Sequence, residues 1–419
     1  MYKLFLKWKD RDIFYLIPLI AFSLTIRLRF YFWNKSTGFK HLPQSPDSQW
    51  YLDYAHSLLS NFKIGTSMND ILYMGYNMLL ALLLAVFKTT NAVIFVQTVI
   101  ASVCVVLVYA IAKMLFNRLT AILASVIYSI SFHITLWSMY ILSDSFFISL
   151  QLLCIYWLLK AYESEKKRFK VLFAASALLL LVFRPTGVIS LFFIAIYLFI
   201  RMDKRKAWAF IRKHRWTIGG AAAACLAAGI FLVSSGKLNN LIGSLQLNIK
   251  MVLFNQYAKG WIYDHPTPHD VAFRPDYTIN ILNSMILSFI INNWDHIMVL
   301  YAKRAFAFQG NWVWRINVIT VHGLIKFFKN TLPINLFLIG TFMAIRNRVF
   351  TRASVLWLIS LSVFLFCIFT FIDGMYRYKA PAMPLLAIIC AYGIDRIVHG
   401  VIHLTKTYAG KLLWKKENY

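Results

Sequence analysis

Apolar runs about as long as a membrane is thick alternate along this chain with short loops rich in lysine and arginine. The longer runs lie at residues 13–33, 72–88, 91–112, 119–142, 145–160, 171–200, 216–234, 330–345, 353–371 and 380–398. Repeated runs of this kind predict membrane-spanning helices, since only helices and closed barrels satisfy the backbone within a bilayer. The pattern therefore predicts an all-α, polytopic transmembrane helical bundle with roughly 10–12 spans.

The distribution of basic residues predicts which loops face the cytoplasm. Lysines and arginines collect at residues 3–11, 160–170, 201–215, 346–352 and 406–416. By the positive-inside rule these segments are cytoplasmic, and both termini share that side. An even number of crossings is then required, whereas the apolar segments number eleven once the run 171–200 is divided in two at Arg184-Pro185. One segment is therefore wrongly divided or re-entrant, and residues 91–142 are the expected place.

Three regions follow from this topology. Residues 1–234 form an N-terminal transmembrane module whose first outer loop spans residues 34–71 and carries juxtamembrane helices. Residues 235–325 form a long outer loop with interfacial helices, and residues 326–419 hold the last spans and a basic cytoplasmic tail. The expected location is the inner or plasma membrane of a bacterial cell, with the polar site facing outside.

Composition supports this class and excludes others. Of 419 residues, 60% are hydrophobic and only 14% are charged, which is more apolar surface than a soluble domain hides. The net charge of +28 lies in short loops between apolar runs, so it does not indicate nucleic acid as a partner. All five cysteines fall inside apolar runs, which favours neither disulfides nor a zinc site.

The most distinctive polar stretch is Ser45–Tyr54, directly after the first span. Pro46 favours a helix start, and a helix over residues 47–60 would put Asp47 and Tyr51 one turn apart on one face. Asp53 is displaced from that face. Such a helix would present a carboxylate and phenols at the membrane surface. The alternative is a capping carboxylate on an ordinary interfacial helix.

Other isolated polar residues fall on the same predicted side of the membrane: Asp144, Arg184, Arg377 and Tyr378. Ionisable groups at membrane depth usually face a cavity or a partner. Arginine binds phosphate oxygens in bidentate fashion, and a carboxylate near an acceptor hydroxyl can act as a general base. The alternatives are a helix cap for Asp144, a snorkelling Arg184, and an interfacial belt around Arg377 and Tyr378.

Three further patterns bear on the site. Arg184-Pro185 breaks the apolar stretch 171–200, which predicts a hairpin of two short helices with Arg184 at its outer tip. Arg27 and Arg29 in the first span either snorkel to the interface or face an anionic ligand. No glycine-rich phosphate loop follows a strand, so a nucleotide-bound donor is not indicated.

A polar cluster in the long outer loop contains possible metal ligands. It comprises Asp264, His265, His269 and Asp270, interrupted by two prolines. Its ligand types suit a metal, but a polar turn is the favoured interpretation. No metal site is therefore assigned, no cofactor is firmly indicated, and a divalent cation remains an option.

With this set of residues, the chain resembles the GT-C superfamily of polytopic glycosyltransferases, which includes the protein O-mannosyltransferases and the lipid A aminoarabinose transferases. The stretches that carry the resemblance are Pro46–Tyr51, Tyr73–Leu80, Ser143–Ser145, Leu181–Gly187 and, more weakly, Arg377–Pro381. The first has the family's outer-loop aspartate with a tyrosine four residues on. Asn77 stands where the family usually has proline.

The resemblance implies an inverting glycosyltransferase that moves a monosaccharide from a polyprenyl-phosphate donor to a hydroxyl acceptor. The acceptor would be carried by a cell-envelope glycan, a lipid or a protein, with membrane lipid as surroundings. It implies that Asp47 is the catalytic base and that Asp144 is also catalytic. Donor phosphate and substrate would be bound by Arg184, Arg377, Tyr378, Tyr51 and Asp53. The alternative function is a transporter or flippase of lipid-linked sugars.

Overall fold

The structure is a computed structural model that describes most of the chain. The described residues are 12–36, 45–65, 67–164, 166–236, 261–262, 265–266, 273–310, 316–369 and 375–417.

These residues are helical almost throughout, and we number the helices in chain order. They are α1 Ile13–Ser36, α2 Pro46–Asn61, α3 Met68–Leu72, α4 Met74–Phe87, α5 Thr90–Val103, α6 Val105–Leu115, α7 Arg118–Ile130, α8 Phe132–Trp137, α9 Ser143–Glu163, α10 Lys167–Phe183, α11 Pro185–Arg201, α12 Lys204–Lys213, α13 Arg215–Ser234, α14 Met285–Asn292, α15 Trp294–Gln309, α16 Val321–Arg346, α17 Phe350–Phe369, α18 Met375–Tyr378 and α19 Met383–Glu417. A 3₁₀ turn, Ala380–Ala382, precedes α19, and two antiparallel two-residue strands, Trp261–Ile262 and His265–Pro266, pair between α13 and α14.

The polytopic helical bundle predicted from the apolar runs is confirmed. Within the described residues, six stretches are long and apolar enough to cross a membrane: Ile13–Ser36, Thr90–Leu115, Ser143–Glu163, Val321–Arg346, Phe350–Phe369 and Ala380–Thr407. Three shorter apolar helices, α4, α7 and α11, lie among them. One large core unites α1, α2 and the helices from α4 to α11 with α17 and α19, and a smaller one joins α14 and α15 to α17 and α19.

Residues 91–142, whose topology the sequence left open, differ from the two apolar runs predicted there, 91–112 and 119–142. Helix α5 continues into α6 across Cys104 as one stretch of 26 residues. The expected run 119–142 is divided, because Ser131 is extended (φ −64°, ψ 110°) and separates α7 from the short α8. The chain after α8 is held by Gln97, whose amide donates to the carbonyl oxygens of Ser138 (3.0 Å) and Tyr140 (2.8 Å). These bonds satisfy backbone groups that have no helical partner and deliver the chain to the start of α9.

The predicted break at Arg184-Pro185 is confirmed. Arg184 is extended (φ −166°, ψ 145°) between α10 and α11, because proline disfavours a helical residue before it. The two helices fold back closely at this joint. A Cβ on Gly187 would lie 2.0 Å from the carbonyl oxygen of Leu180, so only glycine permits the approach. The joint therefore projects the Arg184 side chain from a fixed backbone position.

In the long polar region, the described part consists mainly of α14 and α15. Helix α15 packs on the end of α17, where Arg304 Nη1 donates to the carbonyl oxygen of Ile368 (2.7 Å). Of the possible metal ligands in this region, Asp264, His269 and Asp270 lie outside the described residues. The boundaries of the three predicted regions remain predictions.

Candidate active site

A chain of ion pairs joins four of the predicted site residues. Asp144 accepts hydrogen bonds from Arg184 Nη1 and from Arg377 Nε, the latter at 3.0 Å. Arg377 also donates from Nη1 to Asp47 Oδ2. Arg377 therefore links the two aspartates, and Asp144 links the two arginines. These residues come from α2, the start of α9, the α10–α11 joint and α18, so the fold gathers them from both ends of the chain.

The two aspartates differ sharply in exposure. The side chain of Asp47 is 49% exposed, whereas that of Asp144 is 0% exposed. Both arginines are buried as well, with 1% of the Arg184 side chain and 5% of the Arg377 side chain exposed. Asp47 is therefore the carboxylate that an incoming molecule can reach, and Asp144 lies beneath it, between the guanidinium groups.

Local sequence explains the position of Asp47. Helix α2 begins at Pro46, as predicted, and Asp47 lies in its first turn. The backbone N–H of Ser45 donates to Ser48 Oγ at 3.1 Å, which satisfies one free group at the helix start. A carboxylate in the first turn is favoured by the helix dipole. The same geometry places Asp47 toward Arg377.

Aromatic rings cover the arginines. The Cζ atom of Arg184 lies 5.3 Å from the ring centre of Tyr378 and 5.9 Å from that of Phe147. Arg377 Cζ lies 5.8 Å from the same Tyr378 ring. Guanidinium groups are attracted to aromatic faces at these distances. Tyr378 therefore lies against both cations.

Tyr51 lies in the site, and Asp53 does not. The Tyr51 ring is buried against Tyr73 and Tyr76, with ring centres 5.5 Å and 5.0 Å away. Burial raises the pKa of Tyr51 well above its ordinary value, so the phenol stays protonated. Asp53 is exposed and accepts a hydrogen bond from Gln49 on its own helix (2.7 Å). The structure therefore does not bring Asp53 to the ion-pair chain.

Several hydrogen-bond donors around the ion pairs are buried and have no partner within the described part of the chain. They are Arg184 Nε and Nη2, the Tyr76 hydroxyl and the Thr186 hydroxyl. A buried polar group without a partner costs free energy, so such a set indicates a missing ligand. Donors from guanidinium and hydroxyl groups suit the oxygens of a phosphate.

Two buried cations beside the site were not singled out from the sequence. Arg304 is wholly buried in α15, and Lys379 Nζ, next to Tyr378, donates to the carbonyl oxygen of Ala307 at 3.5 Å. For Arg304, the sequence contained one sign of a functional role, namely an ionisable residue within the apolar face of α15. Lys379 lies in the stretch Arg377–Pro381, but its burial does not follow from that local sequence.

The two carboxylates do not form an evident metal centre. Asp47 and Asp144 are suitable ligand types for a divalent cation, yet each bonds to Arg377. In the ranges that the structure describes, no three or more His, Cys, Asp or Glu side chains are grouped so that they could hold a metal ion. The residues present fit the Arg377 guanidinium between the two carboxylates better than they fit a divalent metal ion.

Residues 74–233 match the family described as dolichyl-phosphate-mannose-protein mannosyltransferase. No curated protein sequence matches the chain. The structure is similar to two crystal structures of the oligosaccharyltransferase of Archaeoglobus fulgidus. The apo form gives a TM-score of 0.53 at 12% identity, covering 97% of this chain. The form tethered to an acceptor peptide containing the NVT sequon gives 0.52 at 12% identity, covering 95%.

These likenesses differ in what they show. At such low identity, the similarity to the archaeal structures shows a shared fold. The chain spans about half the length of those proteins, 52% and 51%. The family match includes α4 and the α10–α11 joint that carries Arg184. Together, the family match and the shared fold confirm that this chain resembles the GT-C superfamily of integral-membrane glycosyltransferases.

Proposed function

We propose that the protein is an inverting glycosyltransferase that moves a monosaccharide from a polyprenyl-phosphate donor to a hydroxyl acceptor on the outer face of the membrane. The observation that carries this proposal is the ion-pair chain that ends in the half-exposed Asp47. The matched family supports it, since its description names a sugar carried on a lipid phosphate. The acceptor is a cell-envelope glycan, a lipid or a protein.

Asp47 is the general base in this proposal, because its carboxylate is the reachable one. The acceptor hydroxyl gives its proton to Asp47 while its oxygen bonds to the anomeric carbon of the donor. The bond from that carbon to the phosphate oxygen breaks, and polyprenyl phosphate leaves with the electron pair. Attack opposite the leaving group inverts the anomeric configuration. Arg377 donates to Asp47 Oδ2 and so holds this carboxylate in position to meet the acceptor hydroxyl.

Arg184 binds the phosphate in this proposal. Its Nη1 bonds to Asp144, which leaves Nε and Nη2 without a partner among the described residues. These two N–H groups can donate to phosphate oxygens and stabilise the charge that develops on the leaving group. Asp144, with both oxygens bonded to arginines, positions those cations rather than contacting substrate.

An apolar cavity near the cations suits the lipid tail. It has a volume of about 580 Å³ and lies among α11, α15, α16 and α17. Phe308 and Phe364 line it, and Phe308 directly follows Ala307, the residue that accepts from Lys379. In this proposal, a donor whose phosphate binds Arg184 extends its hydrocarbon chain away from water and toward this cavity.

The test compares two aspartates on one helix. Purified protein in lipid nanodiscs receives a panel of radiolabelled polyprenyl-phosphate sugars and acceptor alcohols, and release of polyprenyl phosphate is measured. Asp47→Asn should lower turnover by roughly 10²–10⁴-fold, the usual contribution of a general base. Asp53→Asn, which removes an exposed carboxylate six residues away, should retain turnover.

Two outcomes would count against the proposal. Equal turnover in wild type and Asp47→Asn would remove the base assignment. Donor binding and translocation across the bilayer without release of polyprenyl phosphate, in both proteins, would favour a flippase of lipid-linked sugars. Activity that survives chelation of divalent cations would support the role given to Arg377.

A further inference from the structure

A second polar feature lies away from the ion-pair chain, on the lipid-facing side of α1. A groove of about 330 Å³ runs between the second half of α1 and the α7–α8 junction. Arg29 and Trp33 line it from α1, and Phe132 and Thr135 line it from α8. It lies toward the end of α1 that leads into α2, hence toward the membrane face that carries Asp47.

The structure separates the two arginines that the sequence treated alike. Arg27 is wholly buried and donates to the Ser23 hydroxyl and to the carbonyl oxygen of Tyr128 (3.2 Å). Its guanidinium also lies 4.8 Å from the centre of the Tyr128 ring. Arg27 therefore joins α1 to α7. Arg29 is exposed in the groove and has no hydrogen-bond or ion-pair partner within the described residues.

Thr135 gives an independent sign of a missing ligand. Thr135 is only 4% exposed, yet its hydroxyl has no hydrogen-bond partner in the described part of the chain. The same residue lines the groove into which Arg29 opens. A buried hydroxyl without a partner costs free energy, and an oxygen of a bound ligand would satisfy it.

The rest of the groove is suited to a lipid. Trp33 and Phe132 are both large, exposed aromatic residues at the rim, as expected at the level of lipid headgroups. Ile26 and Ile130 extend the lining with apolar surface. A cation and a hydroxyl set among such side chains fit a phosphate that is attached to hydrocarbon, rather than a free ion from water.

We propose that this groove binds the phosphate of an anionic phospholipid, with Arg29 and Thr135 as its polar contacts and the aromatic rim against the glycerol and upper acyl chain. The site shares no residue with the ion-pair chain. It therefore holds whether or not the protein transfers a sugar.

The test measures lipid binding by native mass spectrometry of protein released from nanodiscs that contain phosphatidylglycerol or phosphatidylcholine. Wild type should retain phosphatidylglycerol in preference to phosphatidylcholine. Arg29→Gln should weaken retention about tenfold, the loss expected for a charge-assisted contact. Arg29→Lys should recover part of it. Lys35→Gln, which removes an exposed charge from the last turn of α1 outside the groove, should bind as wild type does.

A second variant, Thr135→Val, tests the same groove with little risk of misfolding, because it keeps the side-chain volume and removes only the hydroxyl. It should weaken retention several-fold with an unchanged unfolding temperature. The proposal is overturned if Arg29→Gln and Thr135→Val both bind like wild type. It is also overturned if Lys35→Gln loses as much lipid as Arg29→Gln, or if inorganic phosphate displaces the lipid.

Discussion

Two wholly buried aspartates lie far apart in the bundle, and their surroundings differ in kind. Asp144 bonds to two buried arginines from distant elements, and Arg377 continues to the half-exposed Asp47. Asp395, about three turns into α19, accepts from Asn117 Nδ2 (2.8 Å) and from the Thr120 hydroxyl (3.3 Å) at the start of α7.

The contrast separates a helix joint from the candidate active site. Asp395 Oδ2 accepts from neutral groups at the start of one neighbouring helix and from Arg396 beside it, and its Oδ1 lies 3.1 Å from His399 Nδ1 on its own helix. Asp144 is the centre of a set whose guanidinium and hydroxyl donors are partly unsatisfied and whose last carboxylate reaches solvent. Burial of an acid is thus compatible with either role, and the nature of its partners decides between them.

The largest expected effect compares the two acids directly. Asp144→Asn should lower turnover about 100-fold or more, because it releases two cations from their fixed positions. Asp395→Asn should leave turnover per folded molecule near wild type and reduce stability by about 1–3 kcal/mol, the cost of weakened buried hydrogen bonds. Turnover and thermal unfolding, both measured on monodisperse protein, distinguish them. A matching loss of turnover in Asp395→Asn would erase the contrast.

The second effect concerns the arginines. Arg377→Lys should lower turnover about 10- to 100-fold, since lysine lacks the planar fork that bonds to both aspartates at once. Arg396→Lys should change turnover less than about twofold, because Arg396 contacts Asp395 and the Tyr392 ring rather than the ion-pair chain, and is partly exposed. If Arg377→Lys were as active as wild type, the bridge between the two aspartates would have no catalytic importance.

A third effect tests the backbone at the α10–α11 joint. Gly187→Ala places a methyl group 2.0 Å from the Leu180 carbonyl oxygen, so the helices must separate and Arg184 must shift. The KM for the donor should rise about tenfold, because a phosphate contact is misplaced. Gly219→Ala in α13, where a new Cβ meets nothing within 4 Å, is the control. Equal KM values in both variants would show that Arg184 tolerates movement.

The smallest expected effect is a pH dependence of stability that comes from the buried Lys379. Burial lowers the pKa of Lys379 to about 8, below the value near 10.4 of an unfolded lysine. Between these values the unfolded chain binds more protons, so this residue makes folding more favourable as pH rises. The unfolding temperature of wild type should therefore rise between pH 7 and pH 9.5 relative to that of Lys379→Met. A constant difference across this range would contradict the shift.

Local signals in the sequence predicted the parts of the site that depend on nearby residues. Pro46 and the helical spacing indicated a helix with Asp47 and Tyr51 together and Asp53 apart, and α2 has this form. Arg184-Pro185 indicated the α10–α11 break. Each of these depends on backbone preferences within a few residues, which a single sequence contains.

Long-range pairings and one helix break were beyond such reasoning. Asp47 and Arg377 are separated by 330 positions, and no local pattern determines that one arginine reaches two aspartates. The break at Ser131 has no proline or glycine to mark it, and the carbonyl groups that follow it are satisfied by Gln97 from α5. Tertiary contacts therefore decide both features.

The bridge from Arg377 to Asp47 and Asp144 has a consequence for biosynthesis. The ribosome makes both aspartates long before Arg377. During membrane insertion Asp144 therefore lacks its second cation until α18 emerges. A chain that stops short of α18 would retain a buried acid lacking one of its two arginines, and losing one partner of a buried charge is strongly destabilising. Completion of the site thus awaits the synthesis of α18, and chains truncated before it should be recognised and degraded by membrane proteases.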